Sequence, residues 1–381
     1  MPDPNGLVTV GTPHIHYASQ RNIIDLPYAN ARVVRANNAF RIPNYLWFKT
    51  MGYVHPHLLN LHFDAGIGAY EVLHLFQGIH IGRRPWFTTF ETVMPRWHDV
   101  GEKDLTWGFK QLAKDTCKGI FALSACAENM QMQLFESYSF MREEIVPKIR
   151  VLHPSQPTLV DRYEDKQLEP DVISMVFVGA DFFRKGGLEV LRVVDRLYAE
   201  DAPIKLYIVS SLKAGDYASK TGPAEITEAE AIIAKHPGRI VHHRSLGNAA
   251  VLDLFRNAHI GLLPTWADTY GYSVLEAQGA ACPVITTSVR AMPEINNEAC
   301  GWVIPVEKDH LGNGVIFTPE QRKAFAKHLD ESLEAVMRDI LRDPSQIRRK
   351  GEQALARIRR DHSPLLTAQM LEAEYRNAIS R

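Results

Sequence analysis

Between Ile260 and Thr286 the chain reads as strand, tight turn, helix and strand again, and this alternation restricts it to an α/β fold. The apolar run Ile260–Leu263 has the length and composition of a buried strand, and Pro264-Thr265 turns out of it. A helix is expected to open near Gly271, with Ser273 able to cap it and Val274, Leu275, Ala277 and Gln278 continuing it. Gly279-Ala-Ala-Cys-Pro283 breaks that helix, and Val284–Thr286 starts the next strand. At such a turn several backbone N–H groups converge above the helix start, a site that favours an anion. Two carboxylates frame it, Asp268 before the turn and Glu276 inside the helix. A carboxylate repels a phosphate but accepts hydroxyl hydrogen bonds strongly. An anion together with hydroxyls points to a sugar nucleotide.

The rest of the chain supports a two-domain α/β reading. Its 381 residues suffice for two sheets of ordinary size, each with its own core. With 43 basic and 44 acidic residues, nothing calls for nucleic acid, and Arg83-Arg84 and Arg348-Arg349-Lys350 read as solvated faces. Cys117, Cys126, Cys282 and Cys300 lack C-x-x-C spacing and read as buried thiols, not as a disulfide framework or a zinc site. The histidine pairs His14/His16 and His55/His57 have no third ligand at a suitable spacing, so no metal is assigned. The first residues lack the basic-then-apolar pattern of a secretion signal, and no apolar run reaches a membrane span of roughly 18 to 20 residues. A cytoplasmic location is expected, with peripheral contact at the inner face of a membrane left open.

In chain order, strands are expected at Leu7–Val10, Leu58–His62, Pro85–Phe90, Gly119–Ser124 and Lys148–Leu152. Gly66-x-Gly68 follows the second of these and predicts a tight turn into a helix near Ala69; Glu71 stands where the third glycine of a dinucleotide fingerprint belongs. The polar, proline-bounded segment Tyr163–Pro170 predicts an interdomain linker. Beyond it, Ile173–Val178 is a strand, Arg184-Lys-Gly-Gly187 a turn, and Leu188, Val190, Leu191, Val194 and Leu197 mark the buried side of a helix. Strands at Lys205–Val209, Arg239–His243 and Ala258–Leu263 then alternate with helices at Thr227–His236 and Ala249–Asn257. Such alternation makes a parallel sheet with ligands at the carboxyl ends of its strands, which sends Lys185, Arg244 and Asp268 to one crevice.

Asp268-x7-Glu276, followed by Pro283-Val-Ile285 and Pro293-Glu-Ile295, resembles the E-x7-E signature of retaining GT-B glycosyltransferases of family 4. The resemblance spans the C-terminal half, with the first half similar in outline only. Asp268 stands for the first Glu, Tyr270 for a Phe, Ala281 for a Gly and Arg290-Ala291 for a Gly pair; Lys185-Gly186 matches the family's G-R-x-x-x-K-G loop, whose Arg falls at Ala180. The resemblance implies two Rossmann-like parallel-sheet domains facing a cleft. Residues 1–162 would form the acceptor side, 163–170 the linker, 171–363 the nucleotide-sugar side, and 364–381 a terminal helix crossing back to the first domain. It implies a metal-independent, retaining transfer, of hexosyl type, from a UDP- or GDP-linked sugar to an acceptor sugar, glycolipid or other hydroxyl compound, with no cofactor. Asp268 would hold sugar hydroxyls, the backbone of Tyr270, Gly271, Tyr272 and Ser273 the sugar and phosphates, and Glu276 the ribose. Arg184 and Lys185 would stabilise the leaving diphosphate. Glu91 takes the place of the family's cleft histidine. A sugar-nucleotide epimerase and a catalytically silent partner subunit are the other readings the same fold allows.

Overall fold

A computed structural model describes residues 6–13, 15–53, 55, 58–97 and 100–380 of the protein, with His14 and His57 outside the described residues. The chain divides into two units, one of Met1–Ser155 with His362–Arg381 and one of Gln156–Asp361. Tyr163–Pro170 therefore lies inside the second unit. There Lys166 is buried and donates to the carbonyls of Phe255 (3.0 Å) and Ala280 (2.6 Å), bonds that tie the segment down.

The first unit holds β1 (Val8–Thr12), β2 (Ala31–Arg35), β3 (Leu61–His62), β4 (Val72–Phe76), β5 (Ile79–His80), β6 (Trp86–Phe90), β7 (Cys117–Ala122) and β8 (Ile149–Val151). Six of these form one parallel sheet in the order β2-β1-β4-β6-β7-β8, while β3 pairs only with β5. The expected strand Leu58–His62 thus shrinks to two residues outside the main sheet. The helix expected near Ala69 is replaced by a direct entry into β4. Asp64 accounts for this: its carboxylate accepts from the Gly66 N–H at 3.0 Å and pairs with Arg84 at 3.0 Å, while Arg84 lies over the Tyr70 ring at 4.4 Å. These bonds close the 64–70 segment as a turn against the sheet, and they correct the reading of Arg84 as a solvated charge. Lys350 in the second unit is likewise buried, donating to the Gly301 carbonyl at 2.8 Å.

The second unit holds β9 (Ile173–Val178), β10 (Ile204–Val209), β11 (Ile240–His243), β12 (Ile260–Leu263), β13 (Val284–Thr287) and β14 (Gly301–Ile304), parallel in the order β11-β10-β9-β12-β13-β14. Strand order reverses between β9 and β12, and an open α/β sheet takes its ligand at such a switch point, outside the carboxyl ends. Helices cover both faces, so the inner strands β9, β12 and β13 are buried almost throughout, while β10 and the edge strand β11 keep half-buried polar positions. The helix Gly187–Tyr198 buries Leu188, Val190, Leu191, Val194 and Leu197, the face expected from its pattern. Cys117, Cys282 and Cys300 are buried free thiols, and Cys126 is half-buried.

The helix Pro364–Ile379 belongs to the first unit. Ala368, Leu371, Tyr375 and Ala378 pack on Val8, Val10, Val72, Phe87 and Phe121. Inside that apolar contact, the Tyr375 hydroxyl lies 2.6 Å from His74 Nδ1, and His74 Nε2 lies 2.8 Å from Thr89 Oγ1. Burial lowers the His74 pKa to about 3, so the ring stays neutral, and each of its nitrogens has a hydroxyl partner. Tyr375→Phe leaves a buried ring nitrogen without its partner and is expected to destabilise the first unit by about 1–3 kcal/mol, read from the urea midpoint of its unfolding.

Candidate active site

Two loops meet at the switch point of the second sheet. The loop after β9 runs Gly179-Ala-Asp-Phe-Phe-Arg-Lys-Gly186, and its two phenylalanines explain its path. Phe182 and Phe183 are buried; Phe182 meets Phe177 and Phe183 edge-on at 5.1 and 5.2 Å. With these rings sunk in the core, Arg184 and Lys185 emerge at the strand end. The loop after β12, Pro264–Thr269, lies against it: the Trp266 N–H donates to the Arg184 carbonyl at 2.9 Å, and the Thr265 hydroxyl lies 3.2 Å from that carbonyl and 2.9 Å from the Ala267 carbonyl.

The contact depends on Gly186. Its φ is +83°, and a Cβ there would sit 2.0 Å from the Pro264 carbonyl oxygen. Gly179 plays the matching part for the side chain, since a Cβ at 179 would fall 2.2 Å from Lys185 Cδ. Lys185 Nζ thereby reaches Asp268 Oδ2 at 2.7 Å, with the two side chains 16% and 12% exposed. Burial alone would raise the Asp268 pKa; Lys185, then Arg184 and the Tyr270 N–H, outweigh it and hold the carboxyl below its ordinary value. Asp268 is a carboxylate, kept charged in a nearly dry place.

Arg184 is committed elsewhere. Its guanidinium bonds Asp181 at 2.6 and 3.2 Å and donates to the Ala267 carbonyl, leaving Asp268 Oδ2 3.9 Å away. Lys185 is therefore the cation closest to Asp268, and Asp181, which sequence reasoning passed over, is what orients Arg184. Beyond Asp268, Tyr270 is buried with its ring 5.6 Å from that of Tyr272. Gly271, in a left-handed conformation, is the N-cap of the helix Tyr272–Gly279. Ser273 is the second residue of that helix and makes no capping bond, because the left-handed glycine brings the chain in one step earlier. Glu276 is buried one turn further in. Arg244 lies just past β11, exposed at the far edge of the same sheet end.

Glu91 sits in the first unit, where β6 ends. Gln77 Nε2 donates to it at 3.1 Å and Arg96 Nη1 lies 3.5 Å from it, while Arg96 also donates to the Gln77 side chain. The three border a hollow of about 450 Å³ that also touches His16, Asn60 and Phe76. No spacing signals Gln77 or Arg96, since neither stands in a motif and only the pairing of β4 with β6 brings them to Glu91. Among the described residues no cluster of three or more His, Cys, Asp or Glu could hold a metal ion.

Residues 173–335, from β9 into the helix Pro319–Arg342, match the family model described as glycosyl transferases group 1. That match lies wholly within the second unit. No curated protein matches the chain in sequence. Solved structures resemble it along nearly its full length. A glycosyltransferase from Rickettsia africae is 14% identical with a TM-score of 0.62, over 98% of this chain and 99% of that one. Sucrose-phosphate synthase from Thermosynechococcus elongatus is 13% identical with a TM-score of 0.58, over 98% and 99%. Anabaena HepE, solved with UDP and glucose, is 10% identical with a TM-score of 0.58, over 97% and 100%. Two six-stranded parallel sheets with flanking helices make this the GT-B fold.

Beneath the Lys185–Asp268 pair lies Glu189, fully buried on the helix that follows Gly186, with Oε1 accepting from Trp266 Nε1 at 3.2 Å. Burial pushes its carboxyl up to about 7, against the smaller opposing effects of the Trp266 bond and Arg192. The folded domain thus holds a proton that the unfolded chain has already released above pH 4.5, and stability falls as pH rises toward and through 7. Glu189→Gln is expected to gain about 2 kcal/mol relative to the parent between pH 5.5 and 8, measured by urea unfolding at both values. Gly186→Ala is expected to cost about 2–5 kcal/mol, from the left-handed backbone and the collision with Pro264, visible as a lowered thermal midpoint.

Proposed function

We propose that the protein is a metal-independent, retaining glycosyltransferase that moves a hexose from a nucleoside diphosphate sugar to an acceptor hydroxyl. The observation that carries the reading is the Lys185–Asp268 pair at 2.7 Å, set beyond β9 and β12 and beside the start of the helix Tyr272–Gly279. Asp268, charged and nearly buried, is suited to grip hydroxyls of the transferred sugar, because a carboxylate accepts hydrogen bonds without giving up a proton. Lys185 is shared: it offsets Asp268, and it can offset the negative charge that grows on the leaving diphosphate as the bond from phosphate oxygen to the sugar carbon breaks. The N–H groups at the start of the helix add partial positive charge for the phosphates. Glu276, in the same helix, suits the ribose hydroxyls. The acceptor oxygen attacks on the face the phosphate leaves, and its proton passes to the departing phosphate oxygen. Configuration is then retained without an enzymatic nucleophile. Glu91, braced by Gln77 and Arg96, is the candidate for holding an acceptor or donor hydroxyl from the first unit.

HepE was solved with UDP and glucose, so UDP-glucose is the first donor to test, with GDP-linked sugars next. Lys185→Ala is expected to lower turnover by about 100-fold or more, the scale of losing one oriented donor, in the presence of a chelator as in its absence. Activity abolished by the chelator and restored by magnesium would overturn the metal-independent mechanism. Asp268→Asn is expected to lose turnover while still binding UDP, and Glu276→Ala to weaken UDP itself, as read by calorimetric titration. Nucleotide binding with neither hydrolysis nor transfer of any donor would reassign the chain as a silent subunit.

A further inference from the structure

From residue 26 to residue 63 the chain contains no Asp or Glu, in a protein with 44 of them, yet it carries Arg32, Arg35, Arg41 and Lys49. Its centre is the helix Arg41–Met51, which buries none of its residues; only Asn44 and Trp47 are even half-covered. The apolar side chains stand outward. Ile42 is 70% exposed, Tyr45 and Leu46 are each 57%, Met51 and Tyr53 are each 50%, and Phe48 is 47%. Six large apolar groups within twelve residues are a patch, which soluble chains rarely leave in water without a use.

The patch is held rigidly at its base. Asn38 Oδ1 accepts from the N–H groups of Phe40 (3.1 Å) and Phe63 (3.2 Å), and its Nδ2 donates to the Leu61 carbonyl (2.9 Å). The Ala39 N–H adds a bond to the Phe63 carbonyl at 2.8 Å. Both ends of the excursion are thus pinned at one point, and the helix projects from there. It borders a groove of about 930 Å³, lined by Pro13, Arg35, Phe40, Arg41, Tyr45 and Phe48 among others, at the carboxyl ends of β1 and β2.

We propose that this helix docks the protein on the surface of a bilayer containing anionic lipid. The charge decides the occupant. Arg35, Arg41 and Lys49 are exposed, and among the described residues no carboxylate pairs with any of them; Lys49 lies over the Tyr45 ring at 5.7 Å. Apolar and aromatic side chains mixed with exposed cations, on a helix lying along a surface, are the pattern that enters a headgroup layer and answers its negative potential. A second copy of the chain is a poor occupant, since a two-fold contact would set these cations against their own images with no acid to answer them. Among the described residues no helix is long and apolar enough to cross a membrane, so the attachment is a surface one.

The test is flotation of the full chain with vesicles of phosphatidylcholine alone and of phosphatidylcholine mixed with phosphatidylglycerol. The chain is expected to float with the mixed vesicles at low salt, to be released at high salt, and to ignore the neutral ones. Arg41→Gln and Lys49→Gln are each expected to weaken binding about fivefold, and the double change Ile42→Ser with Leu46→Ser to abolish it, all with unchanged thermal midpoints because these side chains are exposed. No binding to either vesicle, equal binding to both, or binding that none of the variants alters would overturn the proposal. So would concentration-dependent self-association that the double serine variant removes, which would give the face to a second copy. The readout is binding alone and stands apart from whether the transferase reading holds.

Discussion

The loops beyond β9 and β12 can touch only because residue 186 has no side chain. A single methyl there would meet the Pro264 carbonyl, and the separation needed to avoid it would open the 2.7 Å gap between Lys185 and Asp268. Everything proposed for the site follows from that approach. Asp268 is nearly buried, where a carboxylate without a cation would take up a proton and turn from acceptor to donor. Lys185 prevents this. A buried pair of this kind adds little to stability, because removing both charges from water offsets most of their attraction. Its presence is better explained by what the two groups do together than by what they contribute to the fold.

The second sheet was readable from sequence because its strands are buried on both faces. Ile260–Leu263 has no polar side chain, Ile173–Val178 only the buried Ser174 and Val284–Thr287 two buried threonines, and glycine or proline stands near their ends. In the first sheet the same reasoning failed at two places. β2, ARVVR, is an edge strand with exposed Arg32 and Arg35 and does not look buried. β4, VLHLF, carries the polar His74, which is tolerated in the core only because Tyr375 and Thr89, distant in sequence, bond both its ring nitrogens. Leu58–His62 offered a similar composition a few residues earlier and drew the strand away from its true place.

The site divides in the same way. Asp268 and Glu276 stand on a local pattern, a strand, a turn and a helix, and a local pattern is legible. Lys185 lies 83 positions from Asp268, and only the rule that ligands gather at strand ends, with a family resemblance, could bring the two together. Asp181 and Arg96 carried no such signal. Each acts by orienting another side chain, Arg184 in one case and Gln77 with Glu91 in the other, and such service leaves no spacing to recognise.

The membership of the helix Pro364–Ile379 in the first unit has a consequence for how the protein is made. The second unit is continuous, and once residue 361 has left the ribosome every strand and helix it needs is present. The first unit emerges earlier but lacks the side chains that cover Val8, Val10, Val72, Phe87 and Phe121 until the final helix is translated. Domains commonly fold in the order in which they are synthesised. Here the amino-terminal sheet waits, with one apolar face uncovered and His74 without its tyrosine, while a later domain closes first. The synthesis of Pro364–Ile379, rather than the arrival of β8, sets the moment at which the first unit can be finished.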